Sequence, residues 1–224
     1  MAESIEPLVR AWLAARSHVR GLPMPVADHG GYRIDTFSVA ETARWVFPRM
    51  DAGLADLGRR ITAPRHFLKL CGTDAALRAA LPAYWRLHDH ACFMIAGDAP
   101  PERPPPAGYR VESVRRDAMI AVRIVTADTG DLAASGYAAD TGDAFVYDRI
   151  GTAPGHRRRG LGHALMAALR RGKTRGGAPE LLVATADGRA LYETLGWRVL
   201  SPYATASIPE APPSRLSRAA CQRR

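Results

Sequence analysis

The chain has 224 residues, of which 47% are hydrophobic and 24% charged, the make-up of an ordinary globular protein with room for one large domain or two small ones. Its three cysteines, Cys71, Cys92 and Cys221, have no paired spacing, which argues against a disulfide framework or zinc knuckle and points to a reducing cytoplasm. No apolar run is long enough for a membrane span, and Glu3, Glu6 and Arg10 spoil the pattern of a signal peptide. The net charge of +9 rests on arginines scattered among alanines, and the clusters at 157–159, 170–175 and 223–224 lack the broad stripe and aromatics that a nucleic acid needs.

In chain order, residues 4–20 predict an amphipathic helix, capped by Ser4, with Ile5, Leu8, Val9, Trp12 and Leu13 as a core stripe and Gly21, Pro23 and Pro25 as its end. A strand follows over 32–37, a helical stretch over 40–47, a helix over 52–60, a strand over 67–71, a short helix over 75–81 and an extended segment over 84–95. His88-Asp89-His90 offers two imidazoles and a carboxylate, but no further ligand accompanies them and their neighbours read as ordinary packing, so no metal is expected. Residues 99–108, APPERPPPAG, hold five prolines and mark a stiff linker between residues 1–98 and 109–208. GYRID at 31–35 echoes GYRVE at 108–112, which raises the reading of two related halves, the first a degenerate copy without a ligand loop.

The second half starts strand-rich, over 109–114, 118–126 and 131–139, with ADTG (127–130) as a hairpin turn and TGD (141–143) leading into a strand over 144–151. Next comes TAPGHRRRGLGHALMAAL (152–169), a polar turn with three arginines that runs through Gly160-Leu161-Gly162 into a helix over 161–171. Leu161, Leu165 and Leu169 give that helix its core face. A helix start has unpaired N–H groups and a positive dipole end, and glycines let an anion approach closely, so the stretch reads as a pyrophosphate cradle. Gly172 and Gly176-Gly177 break the chain, a buried strand covers 181–184, and Asp187 caps a helix over 188–195 closed by Gly196. Strands at 197–200 and 203–208 follow, and a mobile tail covers 209–224.

Arg157-Arg158-Arg159-Gly160-Leu161-Gly162 resembles the Arg/Gln-x-x-Gly-x-Gly/Ala signature of the GNAT superfamily of N-acetyltransferases. GRALYETLGW (188–197) resembles that family's second signature, an Ala-x-x-Leu-Tyr-x-x-x-Gly-Phe type of segment, and the order of elements around both agrees. The resemblance spans about 108–208 and implies an α/β fold of the GNAT type, a mixed and mostly antiparallel sheet flanked by helices. Three departures stand out. Gly188 replaces the usual alanine, Thr185 stands where asparagine is common, and the gap between the first two strands is too short for the helices that shape the family's acceptor pocket. Residues 1–98 would cover that side instead.

The resemblance implies acetyl-CoA as co-substrate, without a metal. The N–H groups of Arg158, Arg159, Gly160, Leu161, Gly162 and His163 would hold the pyrophosphate, with the side chains of Arg157, Arg158 and Arg159 adding charge. Ile150, Gly151 and Thr152 match the strand that pairs with the pantetheine arm, an N–H near Ile150 would polarise the thioester, and Thr185 would add a cofactor contact. Tyr192 matches the general acid, with a plain core tyrosine as the alternative. Asp148 is a candidate base, or else the ion-pair partner of Arg149 or Arg123. The implied function is transfer of an acetyl group to a primary amine by direct attack in a ternary complex, in the cytoplasm, with no nucleic-acid or membrane partner. A homodimer stays open, as does a non-catalytic acyl-CoA-binding or regulatory module. No Gly-x-Ser-x-Gly elbow or Cys–His arrangement suggests an acyl-enzyme.

Overall fold

The computed structural model describes residues 4–97 and 103–210. Part of the proline-rich linker and the expected tail beyond Glu210, including Cys221, lie outside them. The elements are α1 (Glu6–Arg20), β1 (Val26–Asp28), β2 (Gly31–Asp35), β3 (Ala43–Phe47), α2 (Ala52–Arg60), β4 (His66–Cys71), α3 (Asp74–Ala80), β5 (Arg86–Leu87) and β6 (Ala91–Ala96) in the first half. The second half holds β7 (Tyr109–Arg116), β8 (Met119–Thr126), β9 (Leu132–Asp140), β10 (Phe145–Thr152), α4 (Leu161–Arg170), β11 (Glu180–Thr185), α5 (Ala186–Thr194) and β12 (Trp197–Ser207).

All strands join one sheet in the order β1-β2-β3-β4-β12-β6-β11-β10-β9-β8-β7, with β5 beside β12. Among the described strands only β3/β4 and β10/β11 are parallel pairs, each bridged by one α-helix as parallel neighbours require. The linker divides the sequence but not the sheet. β6, from the first half, lies between β11 and β12 and is antiparallel to both, while the far end of β12 pairs with β4. Each half therefore completes the other's sheet.

Three expectations are corrected here. Residues 43–47, expected to be helical, form β3, because all five side chains of Ala-Arg-Trp-Val-Phe are buried and a strand covered on both faces shows no alternation to betray it. Residues 197–207 are one strand rather than two, with a register shift between Val199 and Ser201 that lets Pro202 pass. The echo of GYRID in GYRVE does not mark equivalent positions: β2 neighbours the parallel pair β3/β4, whereas β7 is the outer edge of its half.

Two layers of helices cover the sheet. Leu161, Leu165 and Leu169 of α4 pack with Ile120, Ile124, Phe145 and Leu182 on one face. Val9, Trp12 and Leu13 of α1 pack with Val146, Leu181, Phe93 and Tyr203 on the other, as the alternation of Phe145 with Val146 demands. Trp12 is the wedge, edge-on to Phe93 at 5.4 Å and to Tyr203 at 5.8 Å. α2 and α3 cover the first half through Leu54, Leu57 and Leu77 against Trp45, Leu68 and Leu70. The turn between β7 and β8 holds only Asp117 and Ala118, with Asp117 at φ 51°, so no helix lies there. The helix against the far face of β9, β10 and β11 is α1, supplied by the first half.

Candidate active site

The local chemistry of β10 creates the site. β10 pairs with β11 only at Phe145–Glu180 and Val146–Leu181. Beyond that point β11 turns to β6, and one side of β10 from Tyr147 onward is left without a strand. The fork is clamped at its base. Tyr147 donates 2.7 Å to Oε2 of buried Glu180, whose Oε1 accepts from Arg170 Nε and Lys173 Nζ, both at 3.1 Å.

A bulge sits just above the clamp, where the pairing of β10 with β9 shifts between Asp148 and Gly151 and Arg149 takes φ 53°. Both faces hold it. Ile150 lies over Gly136, where an added Cβ would come 2.5 Å from Ile150 Cδ1 and 3.1 Å from Leu169 Cδ1. Arg149 leans the other way, over the Tyr137 ring at 3.9 Å, and donates to the carbonyl of Val19 at the end of α1 (3.3 Å). Ile150, Gly151 and Thr152 thus line the open side of the fork's longer arm.

The arm leads into a single 3-10 turn, Pro154–His156, and then the three arginines. Arg158 (φ 61°) and Gly160 (φ 77°) are both left-handed, and Gly160 takes the N-cap position of α4 without any side-chain cap. The first helical bond is Ala164 N to Gly160 O. Among the described residues nothing accepts from the N–H groups of Arg158, Arg159, Gly160, Leu161, Gly162 or His163, and a Cβ on Gly160 would meet nothing within 4 Å. This is an uncapped helix start facing open space, with positive dipole and positive side chains together. Arg157 folds back toward the Thr152 carbonyl, and Arg159 donates to Tyr109 Oη (3.1 Å), which also lies 2.9 Å from His156 Nδ1. Tyr109 thereby braces the loop, a role that nothing in its sequence surroundings signals.

The two glycines of the loop differ. A Cβ on Gly162 would stand 2.7 Å from Leu191 Cδ2, so the start of α4 also lies close against α5. His163 adds a second tie between the helices, its Nε2 lying 3.1 Å from Thr194 Oγ1. The cap of α5 is Thr185, whose hydroxyl accepts from Gly188 N at 3.3 Å, rather than Asp187. Gly188 is explained as well, since a Cβ would press to 3.2 Å from the Tyr192 ring and 3.4 Å from Thr185 Oγ1.

Tyr192 lies in the core beside Trp197, ring centroids 5.9 Å apart, and burial pushes its phenol up to about 12. No described group hydrogen-bonds its hydroxyl. Asp148 is buried against α1. Arg20 grips both its oxygens (Nε at 2.7 Å, Nη2 at 2.9 Å), and Arg16 Nε adds a contact at 3.3 Å. Arg149 approaches at 3.4 Å, while Arg123 turns to Glu112. Burial would raise the carboxyl, but Arg20, Arg16 and Arg149 outweigh it and hold Asp148 below the usual range. Arg16 and Arg20 lie one turn apart on α1, 132 and 128 residues from Asp148 in the sequence, a pairing that nothing local foretells.

Among the described residues no three His, Cys, Asp or Glu side chains gather to hold a metal, and no helix is long and apolar enough to cross a membrane. His88 instead meets Ser207 Oγ at 2.7 Å and His90 lies 3.4 Å from Asp74.

Comparison with known proteins agrees with this geometry. Residues 120–199 match the acetyltransferase (GNAT) domain family, whereas no curated protein matches by sequence. Among solved structures, a GCN5-related N-acetyltransferase from Kribbella flavida aligns over 91% of this chain and 96% of its own, at TM-score 0.61 and 15% identity. One from Sphaerobacter thermophilus aligns over 93% and 94%, at TM-score 0.57 and 16% identity. A tandem GNAT protein from the clavulanic acid biosynthesis pathway aligns over 93% and 96%, at TM-score 0.50 and 15% identity. The forked sheet with its uncapped arginine-ringed helix thus lies in a stretch that matches the acetyltransferase (GNAT) domain family over residues 120–199, and the chain as a whole shares the fold of GCN5-related N-acetyltransferase structures.

Proposed function

We propose that this protein transfers an acyl group, acetyl in the simplest case, from a coenzyme A thioester to a primary amine. The observation that carries the reading is the meeting of a one-sided strand, Tyr147 to Thr152, with six free N–H groups at the start of α4. The N–H groups from Arg158 to His163 bind the pyrophosphate, Arg158 and Arg159 add charge, and the open side of Ile150, Gly151 and Thr152 pairs with the pantetheine arm. The thioester supplies the activated acyl carbon, and the N–H near Ile150 donates to its oxygen as charge builds there. The amine nitrogen forms the C–N bond, the C–S bond breaks, and Tyr192 gives its proton to the departing sulfur. Water takes the proton lost by the amine, because both oxygens of Asp148 are occupied and its carboxyl is a weak base. Thr185 caps α5 and holds the turn that carries Tyr192.

The first half fits a copy of the same unit that has lost its ligand site. Its strands β3 and β4 pair along all five residues of β3, so no fork opens, and Asp51 plugs the start of α2 by accepting from Gly53 N at 2.8 Å. The tandem GNAT protein supports this reading.

A second reading, binding of acyl-CoA without turnover, draws on the engagement of Asp148 by arginines. Thermal shift with acetyl-CoA and coenzyme A tests the site, and release of free thiol across an amine panel separates the two readings. Properly folded protein that gains no stability from either ligand would sink both.

A further inference from the structure

Only two of the chain's 31 basic residues are lysines, Lys69 and Lys173, and the rest are arginines. An arginine stays charged everywhere, whereas a lysine can be neutral and then carries a nucleophilic lone pair. Lys173 is engaged in structure, its Nζ donating to Glu180 Oε1 at 3.1 Å and to the Ala178 carbonyl at 2.7 Å. Lys69 is not. It stands half-buried on β4 between Val46 of β3 and Thr205 of β12, on the sheet face that turns Val46 and Cys71 toward α1. Among the described residues no acceptor takes a hydrogen from its Nζ, which lies 5.4 Å from the centroid of the Phe67 ring. Its surroundings are cationic. Arg44 is diagonal to it across the β3/β4 pair, about 8 Å away by strand spacing and rise and so within reach of two long side chains. Arg16 of α1 lines the same small space as Arg44. Both guanidiniums already hold carboxylates, Arg44 that of Glu41 and Arg16 that of Asp148. Burial first, then Arg44 and Arg16, with Arg20 behind them, bring Lys69 down to about 7, and Glu41 opposes them. His88, whose ring lies 5.4 Å from that of Phe67, is in turn held below its ordinary value by burial and by Lys69.

We propose that Lys69 is a modification site, the amine of this chain that takes an acyl group from a thioester. The Nζ lone pair adds to the thioester carbonyl, a C–N bond forms, the C–S bond breaks, and the proton released by nitrogen ends on the departing thiolate. The Phe67 ring beside the amine suits the short apolar part of an acyl group. A neutral amide also fits the place better than an ammonium, because it ends the repulsion from Arg44 and Arg16. The inference stands apart from the acyl-transfer reading, since it needs a thioester but not the loop before α4.

The test incubates the full chain with the acetyl thioester of N-acetylcysteamine, which has no nucleotide, in the presence of Nα-acetyl-lysine as an ordinary amine. Peptide mass spectrometry follows acetylation site by site over a range of pH. Near neutral pH Lys69 is labelled at least about tenfold faster than Nα-acetyl-lysine, whose amine is almost wholly protonated there, and Lys173 stays unlabelled at early times. The rate at Lys69 levels off above its value of about 7, whereas that of the free amine keeps rising toward about pH 10.4. Lys69→Arg keeps a cation in place and loses the early gain in intact mass. Labelling of Lys69 no faster than that of the free amine, a rate that climbs in parallel with it, or an unchanged early mass gain in Lys69→Arg overturns the proposal. Acetyl-CoA binding is measured alongside: its absence defeats the acyl-transfer reading while the short thioester still reports on Lys69.

Discussion

Asp148→Asn tests whether Asp148 is a tether or a base. The substitution keeps the shape of a side chain that is 7% exposed, but removes the charge facing Arg20, Arg16 and Arg149 and points an NH₂ at donors. Removing one partner of a buried pair costs about 3–5 kcal/mol. Arg16 and Arg20 remain 19% and 26% exposed, so water relieves part of the loss, leaving about 2–3 kcal/mol. For a chain of this length that lowers Tm by about 4–12 °C. The pH dependence has a defined sign. Asp148 is held below its unfolded value, so its stabilisation is complete above the ordinary carboxylate range, about 3.9, and disappears as pH falls through the lower folded value. Denaturant unfolding of both proteins should therefore show a gap at neutral pH that closes in acid. A variant as stable as wild type at pH 7, with turnover reduced by orders of magnitude, would refute the tether and make Asp148 the base.

Two further outcomes are expected. Gly162→Ala presses a Cβ to 2.7 Å from Cδ2 of Leu191, the flexible end of a half-buried side chain; rotation of that end relieves the contact while helix propensity gains about 1 kcal/mol, so stability holds or rises slightly, and a fall of more than about 1 kcal/mol in denaturant unfolding would show that α4 and α5 are packed too tightly for a methyl. Tyr192→Phe should leave Tm within about 1 °C, since the hydroxyl has no described partner, but lower kcat by about 10²-fold or more; because the phenol sits near 12, wild-type kcat should show no loss from its ionisation up to about pH 10, and unchanged kcat in the variant under chemistry-limited conditions would remove Tyr192 from the mechanism.

What the sequence revealed tracks how local the cause is. α4 and the loop before it were legible because glycine, arginine and the leucine spacing act within a few residues. α2 and α3 are legible for the same reason, and the structure adds their caps at Asp51 and Thr73. β3 was misread because burial on both faces erases the period of two. The neighbouring Arg149 is a partner of Asp148 that the sequence offers, whereas its pairing with Arg16 and Arg20 and the insertion of β6 beside β11 join distant segments, which no local pattern encodes. Gly162 shows a subtler limit. A glycine in a ligand loop has two neighbours to satisfy, and the sequence names neither.

The exchange of strands between halves has a consequence for how the chain comes to be folded. During synthesis β4 and β6 emerge early, but the strand that lies between them, β12, follows only after the whole second half. Until then both present open edges, the kind of surface that recruits a stray strand from another chain. The fold should consequently assemble slowly and as a single cooperative unit, late rather than half by half. Cutting the chain at its proline linker would yield two fragments, each lacking a strand that only the other can supply.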